Sequence, residues 1–214
     1  MQTFSELLLD KSDSKFVSYG KWVNDLRSQI LIRCSQPEKS IFISIIPSEN
    51  MYESADISLH LAKSFAKSGK SVLLIDADLK NPKICRLFRR DGLDKFICNS
   101  TLDMASKNII THSSHKNLHF FGSDVSLNNW QDQIASDAFD SFMNDCRQSF
   151  DVVITQTTPS DSCSSYLHAA RNSDIAILLA KQDLTKVIPL KKVIENLKLA
   201  KIKNPYWLFI NGNF

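Results

Sequence analysis

The chain alternates short apolar runs with longer stretches whose apolar positions recur every three or four residues. Four runs are nearly continuous: residues 41–46 (IFISII), 72–75 (VLLI), 151–155 (DVVIT) and 174–180 (DIAILLA). Runs of this length, bounded by polar and turn-forming residues, predict strands covered on both faces, as in a parallel sheet. Residues 118–122 (LHFFG) and 206–210 (YWLFI) predict two more strands. Helical spacing predicts helices over 15–33, 55–68, 128–150 and 187–200, with shorter helical pieces over 82–90 and 166–172. Phe16, Trp22, Val23, Leu26, Ile30 and Leu31 share a face of the first helix. Ile134, Phe139, Phe142, Met143 and Cys146 share a face of the third, and Val187, Leu190, Val193, Ile194 and Leu197 a face of the fourth. Gly69 follows the second helix as a glycine stop. Residues 95–114 read as a short helix and an irregular stretch. Strand and helix alternate as in βαβ units, so the fold class is α/β: three layers, a mostly parallel central sheet and helices on both faces. No linker or repeat interrupts the pattern. One domain is expected over 15–214, preceded by a flexible arm over 1–14 whose Phe4, Leu7, Leu8 and Leu9 dock on the body.

With 214 residues, 43% of them hydrophobic and 23% charged, the chain can bury the core of one soluble domain. Its net charge of +3 is spread along the sequence and argues against a nucleic-acid partner. No stretch approaches the roughly 20 apolar residues of a membrane span. The acidic start MQTFSELLLDKSDSK does not read as a signal peptide, so a cytoplasmic protein is expected. Cys34, Cys85, Cys98, Cys146 and Cys163 lack CxxC spacing and are odd in number; they read as reduced thiols, with no metal site. His112, His115 and His119 have no acidic or thiolate companions and read as surface positions. Ser162, Ser164 and Ser165 near His168 lack the strand-to-helix elbow of a catalytic triad.

The candidate chemistry centres on residues 71–82, SVLLIDADLKNP. Asp76 and Asp78 stand at the carboxyl end of a buried strand, where open α/β sheets place their ligands. A strand, a loop and a helix, followed by a second strand ending in Asp, is the layout of a nucleotide-binding P-loop domain. Such a loop needs glycines for backbone contact with phosphate, a Lys for charge and a hydroxyl for magnesium. Here residues 47–56 (PSENMYESAD) contain neither Gly nor Lys, and Glu49, Glu53 and Asp56 would repel an anion. The loop is therefore expected not to bind a nucleotide in the usual way. The basic residues Lys80, Lys83, Arg86, Arg89 and Arg90 read as a solvated helix face, with contact to ATP as the alternative.

From about Gly20 to Asn213 the chain resembles the bacterial tyrosine kinases (BY-kinases) of capsule and exopolysaccharide synthesis. These are kinase domains of polysaccharide co-polymerases, related to the ParA/MinD deviant-Walker ATPases. SVLLIDADLKNPKICRLF is similar to the family's Walker A′ segment, ID.D..RP, with Asp76, Asp78 and Pro82 at matching places and Lys80 where Arg is usual. LNNWQDQIASDAFDSFMNDCRQSFDVVITQTTP is similar to the family's helix leading into a DTPP strand. The segment 208–211 is similar to a strand ending in an adenine-facing Asn, which makes Asn211 a candidate base contact. The resemblance also implies what is missing. The Walker A Lys falls on Ser54, the magnesium-binding hydroxyl on Ala55, and the loop glycines on Met51 and Glu53. The Walker B Asp falls on Gln156, and a further Asp near Ser165. Of the family's ExxRxxR oligomer contact, residues 21–27 keep only Arg27, which implies a monomer or dimer in place of a ring. The C-terminal tyrosine cluster is absent.

Phosphoryl transfer is mostly positioning and electrostatic stabilisation, so these absences imply a P-loop NTPase-like fold without its catalyst. Asp76 and Asp78 remain as an A′ remnant. The expectation is a pseudo-kinase acting by protein binding, with no cofactor. Its implied partner is a membrane polysaccharide co-polymerase or glycosyltransferase of the same pathway, which would hold it at the inner face of the bacterial inner membrane. The alternatives are an active deviant tyrosine kinase or ATPase using ATP and magnesium, and a ParA/MinD-like positioning protein, which needs the same nucleotide site.

Overall fold

The computed structural model describes residues 6–9, 17–34, 40–84, 87, 111–112, 116–122, 128–181, 187–202 and 205–210. In chain order the elements are β1 (Glu6–Leu9), α1 (Val17–Arg33), β2 (Ile41–Pro47), α2 (Glu53–Lys67), β3 (Val72–Asp76), β4 (Thr111–His112) and β5 (Leu118–Phe121). There follow α3 (Trp130–Ile134), α4 (Asp137–Ser149), β6 (Val152–Gln156), α5 (Ser165–Ala170), β7 (Ile175–Lys181), α6 (Val187–Leu199) and β8 (Pro205–Ile210). The strands form one sheet in the order β1-β8-β7-β2-β6-β3-β5-β4. All neighbours are parallel except β4, which runs antiparallel to β5.

Alternate side chains of each buried strand leave the sheet on opposite faces, and the core divides accordingly. On one face Ile43, Ile45, Leu74 and Ile154 meet Val23, Leu26 and Ile30 of α1 and Ile57, Leu61 and Phe65 of α2. On the other, Phe42, Leu73 and Val153 meet Phe139, Met143 and Cys146 of α4. Further along the same sheet, Ala176 and Leu178 pack with Tyr166 of α5 and Leu190, Val193 and Leu197 of α6. The three-layer α/β architecture read from the sequence is the one observed.

Three local expectations are corrected. Within the expected arm, Glu6–Leu9 docks on the body as expected, but as an edge strand paired with β8 and not as a flexible segment, in the register Glu6↔Trp207 to Leu9↔Ile210. Within the expected irregular stretch, Thr111 and His112 pair with Phe120 and His119. The single helix expected over 128–150 is two. Ser136 adopts an extended backbone (φ −78°, ψ 154°), and its hydroxyl accepts the amide of Phe139, capping α4. A serine able to satisfy an open helical N–H favours a cap over a helix interior.

Arg147 ties α4 to the strand entrances. It donates to the carbonyls of Ser40 (3.2 Å) and Asn172 (2.8 Å) and to Asp174 Oδ2 (3.0 Å), and lies 3.9 Å from the Phe42 ring centroid. Arg147→Ala is expected to cost about 1–3 kcal/mol in urea unfolding, because two carbonyls and a carboxylate lose a half-buried donor. Arg147→Lys should recover little of this, since a point charge cannot reproduce the fork.

Candidate functional site

The carboxyl ends of β2, β6 and β3 lie side by side, and their loops are laced together by backbone bonds. Ser48 N–H donates to Leu179 O (2.8 Å), Thr157 N–H to Ile45 O (3.0 Å), Ala77 N–H to Gln156 O (2.8 Å) and Ser160 N–H to Pro47 O (2.8 Å). The lacing brings loop 48–52, the start of α2, residues 156–160 and the turn 77–83 to one edge of the sheet. That edge lies next to β2, where strand order departs from chain order and α/β sheets open a ligand crevice.

Asp76 is fully buried and holds the turn together. Its Oδ1 accepts the amide of Asp78 (3.1 Å), and its Oδ2 accepts the amides of Lys83 (2.9 Å) and Ile84 (3.0 Å). Burial pushes its carboxyl up to about 7; the three amides pull the other way, and Asp78 adds to the rise. The close approach of β5 depends on Gly122. A Cβ there would come within 2.6 Å of Phe120 Cζ and 3.1 Å of Asp76 Cβ.

Asp78, also buried, is raised to about 6 by burial, against the pull of Lys83, the Asn81 amide and Lys80. Among the described residues its Oδ2 has no hydrogen-bond partner, and Lys83 Nζ lies 3.9 Å away. Lys83 is 2% exposed. Its ammonium donates to Asn50 Oδ1 (2.7 Å) and Met51 O (3.3 Å) and lies 5.6 Å from the centroid of the exposed Tyr52 ring. Burial lowers its pKa, opposed by Asp78, Asp76 and Glu53.

In the first turn of α2, Ser54 is fully buried and its hydroxyl turns back to Met51 O (2.9 Å). Gln156 Nε2 reaches Ser54 Oγ at 3.5 Å and Thr157 O at 3.4 Å, while Gln156 Oε1 has no partner among the described residues. Glu53 is buried against Lys181 Nζ at 3.0 Å. Asn50, Asp78, Lys80, Asn81, Thr158, Pro159 and Ser162 line a cavity of about 100 Å³.

The structure thus gathers Asp76, Asp78, Met51, Glu53, Ser54, Ala55 and Gln156 at one sheet edge. Asn211, Arg86, Arg89, Arg90 and His115 lie outside the described residues. Lys83 is corrected from a solvated position to a buried one: the turn held by Asp76 folds it back under the loop, while Lys80 stays exposed. Glu53, expected to repel anions, is neutralised by Lys181, a pairing that no local spacing announces. Arg27 turns inward, donating to Ser64 O (2.8 Å) and Ser64 Oγ (3.2 Å), and Asn24 Oδ1 accepts from the same hydroxyl (2.7 Å). His119 is half-buried, its ring 5.2 Å from that of Phe150. Among the described residues no group of three His, Cys, Asp or Glu side chains could hold a metal ion.

A parallel sheet with an Asp pair at the carboxyl end of β3, beside a strand–loop–helix, defines a P-loop NTPase-like protein. The family model AAA_31, an AAA domain, matches residues 53–205, and the chain belongs to that family. It is 25% identical over 169 residues to the putative tyrosine-protein kinase CapB of Staphylococcus aureus, covering 76% of this chain and 72% of that one. It is 24% identical over 150 residues to the tyrosine-protein kinase ptk of Acinetobacter johnsonii, covering 69% of this chain but only 20% of that much longer protein. Among solved structures, the chimerical protein CapA2B2 superposes with a TM-score of 0.78 at 17% identity, over 92% of this chain and 85% of that one. The septum site-determining protein MinD of Pyrococcus horikoshii, complexed with Mg-ADP, does so with a TM-score of 0.62 at 15% identity, over 78% and 68%. The resemblance to bacterial tyrosine kinases and their MinD-like cousins, read first from residues 71–88, is borne out.

Proposed function

We propose that this chain is a non-catalytic relative of the bacterial tyrosine kinases that works by binding a protein partner. The observation that carries this is the filling of the loop by the chain's own side chains. Within the loop, Met51 O accepts the Ser54 hydroxyl and the Lys83 ammonium, so both groups are held by the chain's own backbone. Where magnesium would need a hydroxyl and a carboxylate, there are Ala55 and the amide of Gln156. Of the buried acids nearby, Asp76 spends its oxygens on three backbone amides, Glu53 pairs with Lys181 at 3.0 Å, and Asp78 faces the Lys83 ammonium at 3.9 Å. These donors do not fit a magnesium nucleotide. The likeness to CapB and to the chimerical CapA2B2 supports a place in capsule or exopolysaccharide synthesis. The partner in this reading is a membrane co-polymerase or glycosyltransferase of that pathway, which would hold the protein at the inner face of the membrane. Among the described residues no helix is long and apolar enough to cross a membrane.

Titration calorimetry with Mg-ATP and Mg-ADP tests the non-catalytic half of this reading. No heat of binding is expected up to about millimolar nucleotide. Micromolar binding would overturn the reading in favour of an active, deviant kinase or ATPase.

A further inference from the structure

P-loops are ordinarily shaped around the anion and cation they bind, because several backbone and side-chain dipoles converge on a small volume. Here a cation already sits beneath loop 48–52, and it comes from another segment. The Lys83 ammonium bridges Asn50 Oδ1 (2.7 Å) and Met51 O (3.3 Å) from the loop to Asp78 Oδ2 (3.9 Å) from the turn after β3. It is anchored at its own backbone as well, since the Lys83 amide donates to Asp76 Oδ2 (2.9 Å). The exposed Tyr52 ring lies over it at 5.6 Å, 71% of the residue facing solvent. One side chain therefore joins β3's turn, the loop after β2 and the entry to α2.

Resting on the non-catalytic reading above, we propose that Lys83 is a built-in latch: its ammonium closes the loop from within, so that Tyr52 and Asn50 are presented in one fixed arrangement without any ligand. The order of loop 48–52 then follows a covalently attached cation. Loop 48–52 and the entry to α2 are then in place without a loading step, above the cavity lined by Asn50, Asn81 and Ser162.

Hydrogen exchange on the full chain tests the latch, read at residues 48–58 and compared with β5 and α4. Without nucleotide, the wild-type amides of Ser48 and of the first turns of α2 should be protected, and Mg-ADP should add nothing. Lys83→Met keeps the apolar stem and removes the ammonium. It should speed exchange across 48–58 about tenfold to a hundredfold, the range expected when charge-assisted bonds are lost from a locally opening segment. Asn50→Ala, at an exposed position, removes the shortest of these bonds without touching the core. It should give a smaller acceleration confined to the same residues. Unchanged exchange at 48–58 in both variants overturns the latch, as does a uniform loss of protection in Lys83→Met with no change in Asn50→Ala. The two readings fail separately. Micromolar Mg-ATP binding with Lys83-dependent protection sinks the non-catalytic reading and keeps the latch; no binding with Lys83-independent protection does the reverse.

Discussion

Asp76→Ala is expected to lower the unfolding free energy by about 3–5 kcal/mol at pH 6, enough to remove much of the stability of an ordinary domain. The carboxyl accepts three backbone amides, from Asp78, Lys83 and Ile84, at a position with no solvent exposure. Alanine leaves all three donors buried without partners, and each orphaned group costs about 1–3 kcal/mol. Relief from burying the acid offsets part of this, because a carboxyl raised from 3.8 to about 7 must take up a proton on folding at pH 6, which alanine avoids. Asp76→Asn keeps one acceptor oxygen but turns an NH2 toward the other donors, so it should fall between alanine and wild type. Urea unfolding with unchanged m-values is the measurement. A loss below about 1 kcal/mol for Asp76→Ala would mean that the turn is held by other contacts. The result also bears on function, because an aspartate spent on the fold is not free to act as a base.

Most of the sheet was legible because strands buried on both faces leave few polar positions to confuse the reading. The runs at 41–46, 72–75 and 174–180 each lie within one residue of the observed strands. What escaped was structure made by pairing. Thr111–His112 is a strand only because β5 lies beside it, and Glu6–Leu9 only because β8 offers an edge. The break at Ser136 was hidden because Ile134 and Phe139 both point inward, so the apolar count runs on across the cap. At the site, Asp76 and Asp78 could be placed from the strand that precedes them. Lys83 could not, because Lys80 and Lys83 look alike in sequence and differ only in which way the turn carries them. The signal available was position: Lys83 follows Pro82 directly after the acidic turn, and Asn50 supplies an acceptor on the facing loop.

Asp78→Asn is expected to stabilise the protein by about 1–3 kcal/mol at pH 7.5 and to change little at pH 4.5. Burial lifts the Asp78 carboxyl from 3.8 to about 6 in the folded state. Between about pH 4 and 6 the folded chain therefore holds a proton that the unfolded chain releases. Unfolding free energy then falls as pH rises, by at most about 1.4 kcal/mol per pH unit from this group. Above the folded pKa both states are ionised and the loss is complete. Asparagine has no proton to lose and escapes the loss. The stability difference between variant and wild type should thus widen from pH 4.5 to about pH 6 and then level off. Asp76 is raised in the same direction and tilts both curves; because Asp78 adds to that rise, Asp78→Asn also relaxes part of it, in the same direction as the expected gain. Lys83 works against the gain, since asparagine deprives its buried ammonium of a counter-charge 3.9 Å away. For that reason the expected value lies at or below what the shift alone would give. Urea unfolding of both proteins at pH 4.5, 5.5, 6.5 and 7.5 decides the matter. A difference that is flat with pH would show that Asp78 is not held above its ordinary range. A variant less stable than wild type at every pH would show that the attraction to Lys83 outweighs the cost of burial. If the gain at neutral pH is found, Asp78 is an acid kept at a net cost to folding. Such a group belongs to a surface retained for what it binds, because nothing in the stability of the fold would keep it.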